Sequence, residues 1–175
     1  DQVPIGHPTS PEINYGFGST FSYKGFDINF QFHGSAQSSF WIDYDKMSPF
    51  FKDPDMSQKT NNQLVKFIAN SYWSESNRDR YATWPRLSTT SVANNAATST
   101  WFMRDGSFLR LKLLELGYTV PQKLVNKWGM ANLRFYMSST NLFVLSKFKD
   151  WDVELAGNGL NYPLQRVFNI GVNVS

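Results

Sequence analysis

At 175 residues the chain is long enough for one ordinary domain, and 17 Lys and Arg against 14 Asp and Glu leave a net charge of +3. The basic residues are scattered rather than gathered into a run, which gives nucleic-acid binding little support, and zero Cys excludes disulfide frameworks and thiolate metal sites. Aromatic residues nearly equal charged ones, 17% against 18%, and no stretch reaches the roughly 18 consecutive apolar residues of a membrane helix. Two readings remain from composition: a soluble β-sandwich with an aromatic core, or a chain that meets a membrane as strands.

Residues 1–12 carry Pro4, Gly6, Pro8 and Pro11 and read as an extended loop, since each Pro fixes φ and removes a backbone donor. The chain opens at Asp1 without a basic or apolar leader, as a processed protein or an excised fragment would. From Ile13 to Tyr23 the alternation is nearly unbroken. Tyr15, Phe17, Phe21 and Tyr23 share one parity, and Asn14, Gly16, Gly18, Thr20 and Ser22 share the other. Lys24-Gly25 is a tight turn, after which Phe26, Ile28, Phe30 and Phe32 alternate with Asp27, Asn29, Gln31 and His33. The pair is a β-hairpin with a face of rings and a face of small or hydrated side chains. Transmembrane barrel strands require that division, over about 9 to 11 tilted residues.

Residues 35–100 are polar and poorly periodic, with a helix expected over 61–72 from Leu64, Phe67 and Ile68. So long a connection argues against a simple sandwich and suits the long external loops of an outer-membrane barrel. The run 106–120 reads as a third strand, with Leu114, Leu116, Tyr118 and Val120 on one parity and Glu115, Gly117 and Thr119 on the other. Its upper half is irregular, because Leu109, Leu111 and Leu113 share the parity of Glu115 while Arg110 and Lys112 share the outward one. Either that half protrudes above the bilayer or a bulge shifts the register there; because each cation would cost about 2 to 4 kcal/mol at the midplane, Phe108 to Lys112 are expected at or above the outer surface and Leu114 to Val120 inside the membrane. A turn over 121–129 leads to a fourth strand over 131–143, with Leu133, Phe135 and Met137 outward. A loop over 144–163 follows, then a fifth strand over 165–174 that presents Phe168, Ile170, Val172 and Val174.

The run Asp105-Gly106-Ser107-Phe108-Leu109-Arg110-Leu111-Lys112, continued by Leu116-Gly117-Tyr118-Thr119-Val120-Pro121, resembles a hallmark near the C-terminus of SusC/RagA-like TonB-dependent transporters. Ile5-Gly6-His7-Pro8, Tyr15-Gly16-Phe17 and Tyr23-Lys24-Gly25-Phe26-Asp27 resemble the hairpin upstream of it. Pro85-Arg86-Leu87, Leu133-Arg134-Phe135-Tyr136, Asn141-Leu142-Phe143 and the terminal 166–174 match in order, so the resemblance covers nearly the whole chain. It implies an all-β fold: the C-terminal five antiparallel strands of a barrel of about 22 strands, which five strands cannot close. The loops 1–12, 35–100 and 144–163 would then be extracellular, with the signal peptide, TonB-contacting segment and plug domain lying upstream of this sequence. The family usually ends on an aromatic residue read during outer-membrane assembly, whereas this sequence stops at Val174-Ser175.

The function this resemblance implies is import, not catalysis: uptake of oligosaccharides or oligopeptides across the outer membrane, with a SusD-like lipoprotein as lid and TonB supplying energy, and no cofactor. An enzyme would need a constellation that is missing. Asp43-Tyr44-Asp45 and Asp53-Pro54-Asp55 lack EF-hand spacing, His7 and His33 lack a metal-binding partner motif, and there is no G-x-S-x-G elbow. The ligand-binding candidates are the loop aromatics Trp41, Tyr44, Trp73, Tyr81 and Trp84 with Arg86, because rings stack on sugars or pack on peptide side chains. The rival use for these rings is packing the loop onto itself. Tyr15, Phe17, Phe21, Phe30, Leu116, Tyr118, Phe135, Phe168 and Ile170 are expected to face lipid. A soluble, aromatic-rich, carbohydrate-binding β-sandwich is the alternative.

Overall fold

The structure, a computed structural model, describes residues 3–52, 60–61 and 64–175. Strand β1 (Ile13–Tyr23) turns through Lys24 and Gly25, both at positive φ, into β2 (Phe26–Ala36). Two positive-φ residues make a type I′ turn, whose twist matches that of the strands it joins. Short pieces follow: β3 (Ser39–Trp41), α1 (Tyr44–Met47), β4 (Phe51–Lys52), β5 (Thr60–Asn61), α2 (Lys66–Asn70), α3 (Ala93–Ala96) and β6 (Met103–Asp105). The long β7 (Phe108–Thr119), the turn helix α4 (Gln122–Val125), β8 (Leu133–Ser146) and β9 (Val167–Val174) complete the chain. One antiparallel sheet runs β1-β2-β7-β8-β9, so every sheet neighbour is also the next long strand along the chain.

Residues directly opposite in an antiparallel pair share a face, and the register therefore assigns both faces. Phe17 opposes Phe32, Phe21 opposes Ile28 and Tyr23 opposes Phe26. Across the next pairs Phe26 meets Tyr118, Ile28 meets Leu116 and Phe30 meets Leu114. Leu116 meets Met137 and Tyr118 meets Phe135, after which Phe135 meets Val172 and Met137 meets Ile170. One face of the sheet is thus a continuous field of rings and aliphatic chains. It lies open, with Phe21 59% exposed, Phe26 63% and Ile170 84%. In a β-sandwich a second sheet would cover this surface; no sheet among the described residues does so. The sandwich expectation is overturned on that ground.

The irregular parity of β7 has a local cause. Gln31 pairs with Leu113 but the next residue, Phe32, pairs with Leu111, so Lys112 is a bulge residue. The matching slip on β8, where Leu111 pairs with Phe143 and Leu113 with Thr140, places Asn141 at φ 53°. Below the bulge the even residues Leu114, Leu116 and Tyr118 join the apolar face. Above it the odd residues Leu109 and Leu111 do, opposite Gly34 and Phe32. Simple alternation puts Arg110 outward, and the structure corrects this: Arg110 opposes His33 on the polar side and is 2% exposed.

The polar face is held by charge as well as by backbone pairing. Arg134 on β8 donates to both carboxylate oxygens of Asp27 on β2 and, at 2.8 Å, to Glu115 on β7. The guanidinium reaches β2 only by crossing β7, and it crosses at Gly117, where a Cβ would run into Arg134 Nη2 and the Asp27 carboxylate. Glycine here makes room for an ion pair spanning three strands. Gly117→Ala is expected to displace that pair and lower stability by about 1–2 kcal/mol, while in an Arg134→Gln background the same change should cost much less. Thermal unfolding of the four proteins of this cycle, in full-length form, measures it. Additive losses would show that Gly117 serves some other purpose.

Candidate functional site

The β2/β7 ladder does not stop at the sheet's upper end. It continues as β3 against β6, with Ser39 opposite Asp105 and Trp41 opposite Met103, and this ribbon is the stalk of a folded cap formed by the intervening loop. The N-terminal segment lies along the stalk: Ser39 N–H donates to Pro8 O and His7 N–H to Ser39 Oγ. The cap has its own apolar core of Ile42, Tyr44, Met47, Ile68, Trp84 and Phe102. Tyr44 stacks on Trp84 with centroids 5.6 Å apart, and Phe102 packs on both rings. Backbone bonds Trp84 N–H to Ser71 O and Trp73 N–H to Trp84 O fix the segment carrying Trp84 beside α2. Among the described residues of the helix expected over 61–72, Lys66–Asn70 are helical: Ile68 enters the core and Leu64 is exposed.

A second cluster, Phe40, Phe148 and Val153, brings in the loop over 147–163. Trp151 bridges the two clusters, packing on Phe148 at 4.7 Å and on Phe67 at 5.1 Å. The strongest tether is ionic. Arg110 lies 2.5 Å from Asp152 Oδ1 through Nη2 and 2.5 Å from Glu154 Oε2 through Nε, and His33 Nε2 stands 3.7 Å from the other Glu154 oxygen. A buried guanidinium needs such partners, because an unpaired one loses its hydration without replacement. The residue that looked costly on the outer face is therefore the anchor of a loop on the inner one. Its signal was absent from the local sequence, since both partners lie over 40 residues away.

The expected ligand-binding residues separate into three groups. Tyr44 and Trp84 are buried in the cap core, and burial takes them out of reach of a ligand. Trp41 is half-buried with its indole N–H donating to Ser99 O at 3.1 Å, and Trp73 is half-buried beside Trp84. Tyr81 is 95% exposed, and Arg86 is exposed and 3.3 Å from Glu75. Among the hollows on the cap, one of about 700 Å3 includes Phe50, Arg86 and Val92, and one of about 500 Å3 includes Tyr81. Trp101 and Arg104, which line the second, were missed by a search for loop rings beside Asn, Asp and Arg.

The acidic pairs have structural duties where they are described. Asp43 accepts from Lys46 N–H and pairs with its ammonium at 2.7 Å, capping α1, and Asp45 accepts from Ser91 Oγ. Asp53-Pro54-Asp55 lies outside the described residues. His7 stands 3.8 Å from Glu12. Among the described residues no three His, Asp or Glu side chains gather as a metal site would require.

A two-faced antiparallel sheet, bare on its apolar side and carrying a folded cap on one end, has the build of β-barrel wall. The chain's homologues are TonB-dependent receptors. It is 28% identical over 189 aligned residues to TonB-dependent receptor P26 of Formosa agariphila, covering 100% of this chain and 18% of that protein. Against TonB-dependent receptor SusC of Bacteroides thetaiotaomicron it is 26% identical over 167 residues, covering 93% and 15%. The solved RagAB peptide transporter superposes with a TM-score of 0.67 at 23% identity, over 97% of this chain and 18% of that one. The chain thus spans less than a fifth of the length of these relatives. No protein-family model matches it.

The Arg110 tether is testable directly. Arg110→Met should leave Asp152 and Glu154 without their cation at a cost of about 3 kcal/mol, and release the loop over 147–163 while the sheet persists. Limited proteolysis of the full-length protein should then cut within that loop. An unchanged pattern would show that Phe148 and Val153 hold it unaided.

Proposed function

We propose that this chain is part of the wall and external cap of an outer-membrane, TonB-dependent nutrient importer that takes up oligosaccharides or oligopeptides together with a SusD-like surface lipoprotein. The observation that carries the reading is the segregation of the five strands: one face continuously apolar and bare, the other lined with Asn, Gln, Ser, Thr and Gly and with charges that pair among themselves. Water on the bare face would be unfavourable over a very large patch, whereas lipid suits it. Strands of 11, 11, 12 and 14 residues reach or exceed the about 9 to 11 needed to cross the hydrocarbon core with tilt, and β9, with 8, falls one short.

On this reading Tyr15, Phe17, Phe21, Phe30, Leu116, Tyr118, Phe135, Phe168 and Ile170 face lipid. The short turns at Lys24-Gly25 and 121–129 lie on the periplasmic side, and the cap and the loop over 147–163 lie outside. Mechanism is then binding and gating rather than bond chemistry. The cap, with Trp41, Trp73, Tyr81 and Arg86 at or near its surface, presents groups for cargo or lid, and Tyr44 and Trp84 keep its shape. TonB would act through parts of the receptor beyond this segment. The similarity to SusC and to the RagAB peptide transporter supports an importer.

Face orientation gives the decisive test. In the full-length protein, Phe30→Arg places a cation amid the apolar face and should cost about 2–4 kcal/mol, reducing the heat-modifiable barrel recovered from outer membranes. Asn29→Arg, one residue earlier on the polar face, should assemble normally. Equal tolerance of the two, or a full-length protein that stays in the aqueous fraction without detergent, would sink the proposal.

A further inference from the structure

The smaller hollow of the cap holds chemistry that import as such does not require. It is lined by Arg80, Tyr81, Thr83, Ser99, Trp101 and Arg104 among others, and encloses about 500 Å3. Tyr81 is 95% exposed and Trp101 38%, and neither ring belongs to the core cluster that claims Tyr44 and Trp84. Arg104 is held by one nitrogen only: Nη1 donates to Trp101 O and to Met103 O, both at 2.8 Å, while Nε and Nη2 have no hydrogen-bond partner among the described residues. Arg80 makes no ion pair with a described carboxylate. The neighbouring acid, Asp79, is occupied in accepting from Tyr81 N–H at 2.8 Å, which fixes the turn that presents the ring. Among the described residues no carboxylate lines the hollow, and the acid whose charge reaches Arg104 is Asp150, outside the lining.

Two guanidinium groups with open donors, two exposed rings and the hydroxyls of Thr83 and Ser99 define a ligand by their needs. The cations call for an anion that can accept two parallel N–H bonds from one guanidinium, a carboxylate or a sulfate. The rings call for a flat face of C–H bonds to stack on, and the hydroxyls for partners of their own kind. A pyranose bearing an acidic group supplies all three. A peptide's carboxylate would satisfy an arginine but leaves less use for two ring faces, and a neutral sugar leaves Arg80 without an anion. We propose that this hollow binds anionic saccharide, and so that the importer's cargo class is acidic glycan; the cargo statement rests on the import reading, the binding statement on the hollow alone.

The intact receptor, purified in detergent, is titrated calorimetrically with a tetra-hexuronate, its fully methyl-esterified form, a sulfated oligosaccharide of equal charge and an acidic peptide of equal charge. At least one acidic glycan should bind, about tenfold or more tighter than the neutral ester, with affinity falling as salt is raised. Arg80→Ala and Tyr81→Ala, both at exposed side chains that the fold does not use, should each weaken it by about tenfold. Which acidic glycan binds separates carboxylate from sulfate as the recognised group. Equal affinity for acid and ester, tighter binding of the peptide, no glycan binding, or indifference to Arg80→Ala would each overturn the proposal. The same preparations report on import separately: a receptor that assembles as a heat-modifiable outer-membrane barrel but ignores acidic glycans removes this site and leaves the importer reading intact. One that binds acidic glycan without entering the membrane does the reverse.

Discussion

The structure depends on one constraint, that a strand exposed to hydrocarbon can leave neither its backbone groups nor a charged side chain unpartnered. Each of the three interior strands satisfies its backbone on both sides through the ladders β1-β2-β7-β8-β9. The side chains obey the same rule by parity. Ionic groups sit on the polar face, where Arg134 crosses Gly117 to reach Asp27 and Arg110 meets Asp152 and Glu154. Where strict alternation would break the rule, at Arg110, the bulge at Lys112 reverses the parity of the strand's upper half and restores it. A single inserted residue therefore both keeps Leu109 and Leu111 on the apolar face and turns the guanidinium inward.

That reversal has a further consequence for the outer end of the sheet. An inward, buried Arg110 is a fixed positive charge on the rigid wall, and the loop over 147–163 brings two carboxylates to it. The loop in turn delivers Phe148 and Trp151 to the cap, where Trp151 touches Phe67. Gly157 belongs to the same arrangement: Asp43 N–H donates to its carbonyl, and the backbone at Trp41 approaches its Cα so closely that no Cβ would fit. Wall, loop and cap are thus joined by the Arg110 ion pairs, the aromatic seam through Trp151 and the Asp43–Gly157 backbone bond.

How much of this was legible in the sequence depends on whether the determining contact is local. The β1/β2 hairpin was readable because its alternation is clean and Lys24-Gly25 names its own turn, and the faces of β8 and β9 follow from the same period. The bulge was readable only as an irregularity, since the position of a register slip is set by the neighbours β2 and β8 rather than by β7 itself. The cap was least legible. Its rings have no period, and a Trp that packs a small core looks in sequence like a Trp that awaits a ligand. Trp84, 1% exposed, and Tyr81, three residues earlier and 95% exposed, differ only in what the chain folds around them.

The same contrast explains why the cap can combine a fixed shape with an open surface. An isolated loop of this length would lose too much conformational entropy to order itself by surface contacts alone. Here the stalk of β3 and β6 closes its ends, the stacked pair Tyr44 and Trp84 fills its centre, and Trp151 ties it to a second loop. With order supplied from within, residues such as Tyr81, Arg80 and Trp101 need contribute nothing to folding and are free to meet whatever arrives from solvent. Binding groups held on a pre-ordered frame lose little further freedom when a ligand docks, and that is the physical advantage of placing Tyr44, Trp84 and Phe102 in a core.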